Sequence, residues 1–264
     1  MRVGLITADP GHPVLAATAA VLRGRGHGVA VVGPGETWDG DVCLLKMRTP
    51  QALALARELE SRGVPVVNSA AATELCQDRV RMAELARAAG LPFAQTRSAG
   101  RLGQLDGADY PFVVKSRHSR RGDLVARVGD AARLRELARL WPDEAVVTQP
   151  FLDGTGWDQK LWVVDGRVFA ARRRSELAPP AVAGPVAGSA AGPVAEWEPP
   201  ADRAALALRV GEAFGLDVYG VDLLDGPAEP VVVDVNAFPG IRGRAGAPEA
   251  LADLALRVAA GRGR

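Results

Sequence analysis

The sequence predicts a mixed α/β protein in which a small N-terminal parallel sheet is followed by antiparallel, hairpin-rich sheet. Residues 1–68 alternate short apolar strands with helical patterns, the signature of parallel strands joined by helical crossovers. Beyond Tyr110 the apolar runs are joined instead by short turn-rich linkers such as Asp165-Gly166, a pair suited to a two-residue hairpin turn. No internal repeat of solenoid type breaks this plan.

In chain order, the first unit reads RVGLIT, a helix through VLAATAAVLRGRG, VAVVG, DVCLLK, a helix from Pro50 to Arg62, and VPVVN. The glycines of GRGHG (24–28) follow a helix and precede a strand, the reverse of a dinucleotide fingerprint, and read as a helix stop. His12 follows the first strand, where α/β sheets often place ligands. From Ser69 the pattern turns helical: SAAATELCQ, then DRVRMAELARAAG with Asp78 as N-cap and Gly90 as stop. Arg79 sits in the first turn of that helix, where a cation gains nothing from the helix dipole and an anionic partner would suit it.

YPFVVKSRHSRRGDLVARV (110–128) reads as strand, basic loop, strand, with Lys115 closing the first strand and Arg117, His118, Arg120 and Arg121 crowding the loop 116–122. Such a loop suits a lid over an anionic ligand, or a plain solvated charge run. A helix from Asp130 to Leu140, the strand AVVTQPFL (145–152) and a hairpin through Asp165-Gly166 follow. Alternation puts Lys160, Trp162 and Val164 on one face, and Arg172 and Arg174 share a face across the turn. Residues 176–200 are almost entirely Ala, Pro, Gly and Val, too poor in large apolar side chains to pack, and read as a mobile loop. A helix from Ala201 to Phe214, a last hairpin and a closing helix complete the chain. The expected units are 1–68, 69–144 and 145–264.

The last hairpin carries the sharpest chemistry. YGVDLL (219–224) and VVVDVNAFPG (231–240) flank the turn-rich DGPAEP, and symmetry about residue 228 sets Asp222 opposite Asp234, with Asn236 on the same face. Two carboxylates at facing positions among valines repel each other, and a divalent cation would remove the conflict. Two carboxylates and an amide oxygen, with no His or Cys nearby, suit Mg²⁺ shared with substrate phosphates; acids at a hairpin's wet end would give the same pattern.

The formal net charge of +1 gives no reason to expect nucleic acid or an anionic membrane as partner. Cys43 and Cys76 lie in apolar surroundings without paired spacing, against a disulfide scaffold or a zinc site. The N-terminus reads as a strand rather than a signal peptide, and no apolar run approaches a membrane span, so a cytoplasmic protein is expected. Of 32 Lys plus Arg only Lys46, Lys115 and Lys160 are lysine. Where arginine supplies positive charge everywhere else, those three ammonium groups draw attention to their positions.

Taken in order, DRVRM, PFVVK, VVTQPFL, DQKLWVVDGRVFAARRRS, GVDLL and VDVNAFPG resemble the ATP-grasp family from about Asn68 to Leu254. The resemblance implies an ATP-grasp fold with an N-terminal pre-grasp domain, a lid-bearing subdomain and a C-terminal subdomain holding the metal. By position it implies Lys115 and Arg79 at the nucleotide phosphates, Gln149, Pro150, Phe151 and Leu152 as the adenine hinge, and Asp222, Asp234 and Asn236 as Mg²⁺ ligands. Arg79 stands where most ligases of the group have lysine, and Asp234 where glutamate is usual.

Two branches are similar to this chain. RimK-like and LysX-like ligases share the spacing of Asp158 and Lys160 and an arginine at the position of Arg174. Inositol polyphosphate kinases share Asp78-Arg79, Lys160, Arg173-x-Ser175 and the N-x-F-P-G of 236–240. The ligase branch implies ATP-dependent joining of a small-molecule or peptide carboxylate to an amine through an acyl phosphate, with Arg174 and Lys160 as catalytic groups and Asp158 at the cofactor. The kinase branch implies instead an ATP-dependent small-molecule kinase whose acceptor is a hydroxyl on a polyol or phosphorylated polyol. A non-catalytic ATP-binding module is the third reading, and the opposed carboxylates argue against it. Lys46 and His12 are expected at the acceptor pocket, Arg242 and Arg244 could hold an anionic substrate, and a homo-oligomer is possible.

Overall fold

The computed structural model describes residues 1–106, 109–153, 155–175, 177, 195–226, 229–241 and 243–261. Most of the Ala/Pro/Gly loop expected at 176–200, the tip of the last hairpin at 227–228, and Arg242 lie outside the described residues.

Three sheets organise the chain. The first is parallel, ordered β2 (Gly28–Val31), β1 (Arg2–Ile6), β3 (Val42–Leu45), β4 (Val66–Val67), with α1 (Pro13–Gly24) and α2 (Pro50–Ser61) as crossovers. Helix α2 opens with Pro50 after Thr49, whose hydroxyl accepts from the Ala52 amide. Two short helices lead on, α3 (Ala70–Leu75) and α4 (Arg79–Ala88). The Asp78 carboxylate caps α4 by accepting from the Val80 and Arg81 amides, and Gly90 at φ 63° ends it.

The second sheet is antiparallel, ordered β5 (Arg97–Arg101), β8 (Ala145–Pro150), β6 (Phe112–Ser116), β7 (Val125–Val128), and is covered by α5 (Ala131–Leu140). Two expectations change here. The strand expected to open the third unit is β8, and it pairs with β6 and β5, so the boundary at 144 falls inside this lid sheet. Strand β5 was not expected at all, because its sequence, RSAGR, shows no apolar alternation; pairing with β8 holds it.

The third sheet is antiparallel, ordered β11 (Ala195–Glu196), β10 (Arg167–Arg174), β9 (Trp157–Val164), β12 (Val218–Asp225), β13 (Pro230–Ala237), with α6 (Ala201–Phe214) and α7 (Ala247–Ala259). Asp165 and Gly166 join β9 to β10 at φ 52° and 76°, the left-handed pair that a tight hairpin of this twist requires.

Apolar burial ties the first and third sheets together. Val3, Leu5 and Leu15 of the N-terminal unit share one core with Trp162, Val164 and Phe238, and with Leu251 and Leu254 of α7. The lid has a core of its own, built on Leu102, Phe112, Val114, Leu134, Leu137 and Val146. Cys43 and Cys76 are free and buried, and burial pushes both thiols up to about 12. Among the described residues no helix is long and apolar enough to cross a membrane.

Candidate active site

Register across the third sheet assembles the site. Lys160 of β9, Asp222 of β12 and Asp234 of β13 are directly opposite one another and therefore share a face. The facing of Asp222 and Asp234 is the one hairpin symmetry requires. Their repulsion, however, is relieved by the protein itself. Lys160 Nζ lies 2.9 Å from Asp222 Oδ1, and Arg79 Nη2 donates to Asp234 Oδ2 at 2.9 Å. Arg79 also donates to Asp123 and to the Ser116 carbonyl, each at 2.7 Å. So the two facing acids are not by themselves a demand for metal.

Arg79 is 4% exposed, and only this acidic company makes its burial tolerable. Burial disfavours the charged form of Asp234, but the Arg79 and Lys115 charges and the Arg79 hydrogen bond outweigh it and hold the carboxyl below its ordinary value. Lys115 is pulled the other way: burial lowers its ammonium despite the attraction of Asp234.

A β-bulge positions that lysine. Asp222 pairs with Asp234 but Leu223 pairs with Val232, which leaves Val233 as the extra residue. The Val233 carbonyl accepts from Lys115 Nζ at 2.8 Å and from Gln149 Nε2 at 3.4 Å, linking β6 and β8 to the acidic row.

Between the lid and the third sheet runs a cleft of about 800 Å³. Lys115, Gln149, Pro150, Phe151, Leu152, Asp158, Lys160, Asp222 and Asp234 all line it, so nine of the residues singled out from sequence meet in one place. Within this lining the Arg127 guanidinium lies 4.6 Å from the centre of the Phe151 ring. Arg79 lies behind the acids rather than on the cleft surface, bound to Asp234 and Asp123.

Arg174 is a correction. It pairs with Trp157 and Arg172 with Gln159, so both project from the face opposite Lys160 and Asp222, and Arg174 stacks on the Trp157 ring at 4.4 Å. The residue before it, Arg173, pairs with Asp158 on the acidic face, lies 3.6 Å from its carboxylate and lines the cleft. A strand's period of two makes a one-residue assignment decide the face, and motif position alone did not fix that parity. Asn236 shares the acidic face but borders an adjoining cavity rather than the main cleft. Gly220 lies between Trp162 and Asn236, and a side chain there would come within 3.2 Å of the Pro239 ring. His12 caps α1 and is buried, Lys46 donates to the Phe238 and Pro239 carbonyls, and Arg244 stacks on Trp162 at 5.0 Å.

Among the described residues no three His, Cys, Asp or Glu side chains converge on a metal position. The donors present are two carboxylates and the Asn236 amide on one sheet face, a hard-oxygen set that fits Mg²⁺ only with phosphate oxygens completing the shell. Sequence reasoning missed Asp123 and the Val233 carbonyl, and it named Arg173 only within the kinase-like Arg-x-Ser of 173–175. A carboxylate eight residues after Lys115 at the far end of a hairpin was the one available hint for Asp123.

The profile of the RimK-like ATP-grasp domain matches residues 102–248, more than half of the chain. A probable alpha-L-glutamate ligase of Thioalkalivibrio sulfidiphilus is 30% identical over 200 residues, 72% of this chain, which in turn spans 65% of that relative's length. A RimK domain ATP-grasp protein from Sphaerobacter thermophilus superposes with a TM-score of 0.74 at 25% identity, over 97% of this chain and 100% of its own. D-alanine–D-alanine ligase from Bacillus anthracis, solved with ATP, superposes with a TM-score of 0.71 at 17% identity over 100% of each chain, a likeness of fold. None of the three is a kinase, and the inositol kinase resemblance gains nothing from them.

Proposed function

The chain belongs to the RimK-like ATP-grasp family, and from that premise we propose that it is an ATP-dependent carboxylate–amine ligase. A substrate carboxylate oxygen attacks the γ-phosphorus of ATP, the bond to the β-bridging oxygen breaks, and ADP leaves with an acyl phosphate behind. An amine then attacks the acyl carbon, loses a proton, and displaces phosphate to form an amide.

The observation that carries this reading is the row Lys160, Asp222, Asp234 on the floor of the cleft, with Lys115 held over it by the Val233 carbonyl. In phosphoryl transfer most of the catalysis is positioning and charge neutralisation, and this row supplies cations and metal ligands on one surface. Lys115 and Lys160 hold the phosphates. Asp222, Asp234 and Asn236 would hold Mg²⁺, which supplies neutralisation of phosphate charge when bound. Arg173, turned to the same face, takes the role expected of Arg174 in stabilising the acyl phosphate and the later oxyanion. The Pro150 carbonyl and Leu152 amide are the hinge groups for the adenine edge. Such an enzyme works where ATP is supplied, in the cytoplasm, on small-molecule or peptide substrates.

The test is a hydroxylamine trap with full-length protein, ATP, Mg²⁺ and a panel of carboxylic acids and polyols, glutamate first because a relative is named for it. Hydroxamate formed together with ADP is the expected result. ADP with a phosphorylated polyol and no hydroxamate would overturn the ligase reading.

A further inference from the structure

Asp123 belongs to the lid, in the loop between β6 and β7, yet its carboxylate reaches the floor of the cleft through a single guanidinium. Arg79 Nη1 donates to Asp123 Oδ2 and to the Ser116 carbonyl, each at 2.7 Å, and Nη2 donates to Asp234 Oδ2 at 2.9 Å. All three side chains are withdrawn from water, with 15% of Asp123, 5% of Arg79 and 14% of Asp234 exposed.

The loop holds Asp123 in place from both sides. Ser116 donates its N–H to the Leu124 carbonyl at 2.8 Å, and its hydroxyl accepts from the Leu124 amide at 3.0 Å, while Gly122 turns the chain at φ 73°. The loop is then stitched to the start of α4: the Arg79 amide donates to the Arg117 carbonyl at 3.0 Å, and the Ser119 amide to the Gln77 carbonyl at 2.9 Å.

Two physical consequences follow for Asp234. A guanidinium facing a lone carboxylate favours a fork that takes both oxygens. With Nη1 held by Asp123, Arg79 takes only Oδ2, and Oδ1 accepts the Val235 amide at 3.1 Å. The second consequence is charge. Around Asp222 and Asp234 the cationic side chains are Arg79, Lys115 and Lys160, and Asp123 is the third acid that balances them. Without Asp123 the cations outnumber the acids, which opposes the entry of a divalent metal.

We propose that Asp123 is a positioning residue for the metal: on the ligase reading, which puts Mg²⁺ at Asp222, Asp234 and Asn236, it restrains Arg79 and keeps Asp234 available to the ion. It acts through Arg79 and touches neither metal nor nucleotide. The lid thereby contributes to the metal site without supplying a ligand.

The test is a titration of the full chain with Mn²⁺, which accepts the same hard oxygen donors as Mg²⁺, followed by electron paramagnetic resonance of the free ion with ADP kept below the protein concentration. Asp123→Asn should weaken Mn²⁺ binding by about tenfold to a hundredfold, the usual cost of losing a group that orients a metal ligand. ADP affinity measured without metal should stay the same or rise, since a negative charge near the phosphates is gone; a merely loosened lid would lower both. Asp123→Glu should recover part of the lost Mn²⁺ affinity. Arg117→Gln, which breaks the loop's ion pair with Asp78 instead, should leave Mn²⁺ affinity as in wild type. Unchanged Mn²⁺ binding in Asp123→Asn, a joint loss of Mn²⁺ and metal-free ADP binding, or an equal loss in Arg117→Gln would overturn the proposal and leave the ligase reading standing. Loss of Mn²⁺ binding in Asp123→Asn, in a protein that forms no hydroxamate from any acid, would keep the role of Asp123 and sink the ligase.

Discussion

On the nucleotide side of Lys160 the acids of the floor have cations of their own, Lys160 for Asp222 and Arg79 for Asp234. On the other side Arg48 lines a cavity that holds no carboxylate. The two regions share a lysine and a sheet face and differ in whether charge is settled before a ligand arrives. In the first, under the proposed ligase reading, binding would be an exchange in which phosphates compete for cations that the acids already hold. In the second, no carboxylate lines the cavity among the described residues, so an anion placed there would meet positive charge from the start.

The largest effect that could break this contrast is on folding. Arg79→Ala leaves Asp123 and Asp234 buried without their cation and should cost about 3–5 kcal/mol, read as a lower urea midpoint. Arg48→Ala should stay within about 0.5 kcal/mol of wild type. Equal losses would mean that the pairing around Arg79 contributes nothing special. Next in size is Asp234→Asn, which keeps the Arg79–Asp123 pair and should fold, yet lower ATP-dependent turnover by about 10²–10³-fold. Normal turnover would remove Asp234 from the site.

A smaller effect sharpens the facing argument. Arg173→Ala should reduce kcat/KM by about tenfold or more, because it takes a cation off the cleft. Arg174→Ala removes only a stack on Trp157 from the far face and should leave kcat/KM within about twofold, well inside one RT-scale interaction. The reverse order would restore the assignment made from motif position.

The smallest effect is in pH. Burial works against the Asp78 carboxylate, but hydrogen bonds from Arg117 and from the Val80 and Arg81 amides hold it below its ordinary value. The folded state therefore binds that proton less readily than the unfolded chain. Its contribution is complete above the unfolded value of about 3.9 and is lost as the pH falls through the folded value. Asn at 78 keeps the helix cap without titrating, so the urea midpoint of Asp78→Asn should fall less steeply below about pH 4 than that of wild type. Parallel curves would show that Asp78 does not carry the acid limb.

Much of this was legible in the residues. The Asp78 cap, the Asp165-Gly166 turn and the facing of Asp222 and Asp234 each depend on a few neighbouring residues, and each was found where the sequence put it. What was not legible depends on phase or on distant partners. The facing of Arg173 against Arg174 turns on where β10 begins its register with β9. Strand β5 exists because β8 offers it an edge, not because RSAGR prefers to be extended. The relief of the Asp222–Asp234 conflict by Arg79 comes from 155 residues away.

The shared core of the first and third sheets determines how the molecule comes apart. Since Val3, Leu5 and Leu15 are packed with Leu251, Leu254 and Trp162, the chain's beginning and end form one cooperative unit, and the lid, with its separate core, forms another. Amide protons of β1, β9 and α7 should then exchange only through global unfolding, while those of β6 and β7 exchange through openings of the lid alone. Cutting away the first 68 residues would not liberate a smaller folded unit; it would strip the cover from α7 and take the floor's support with it.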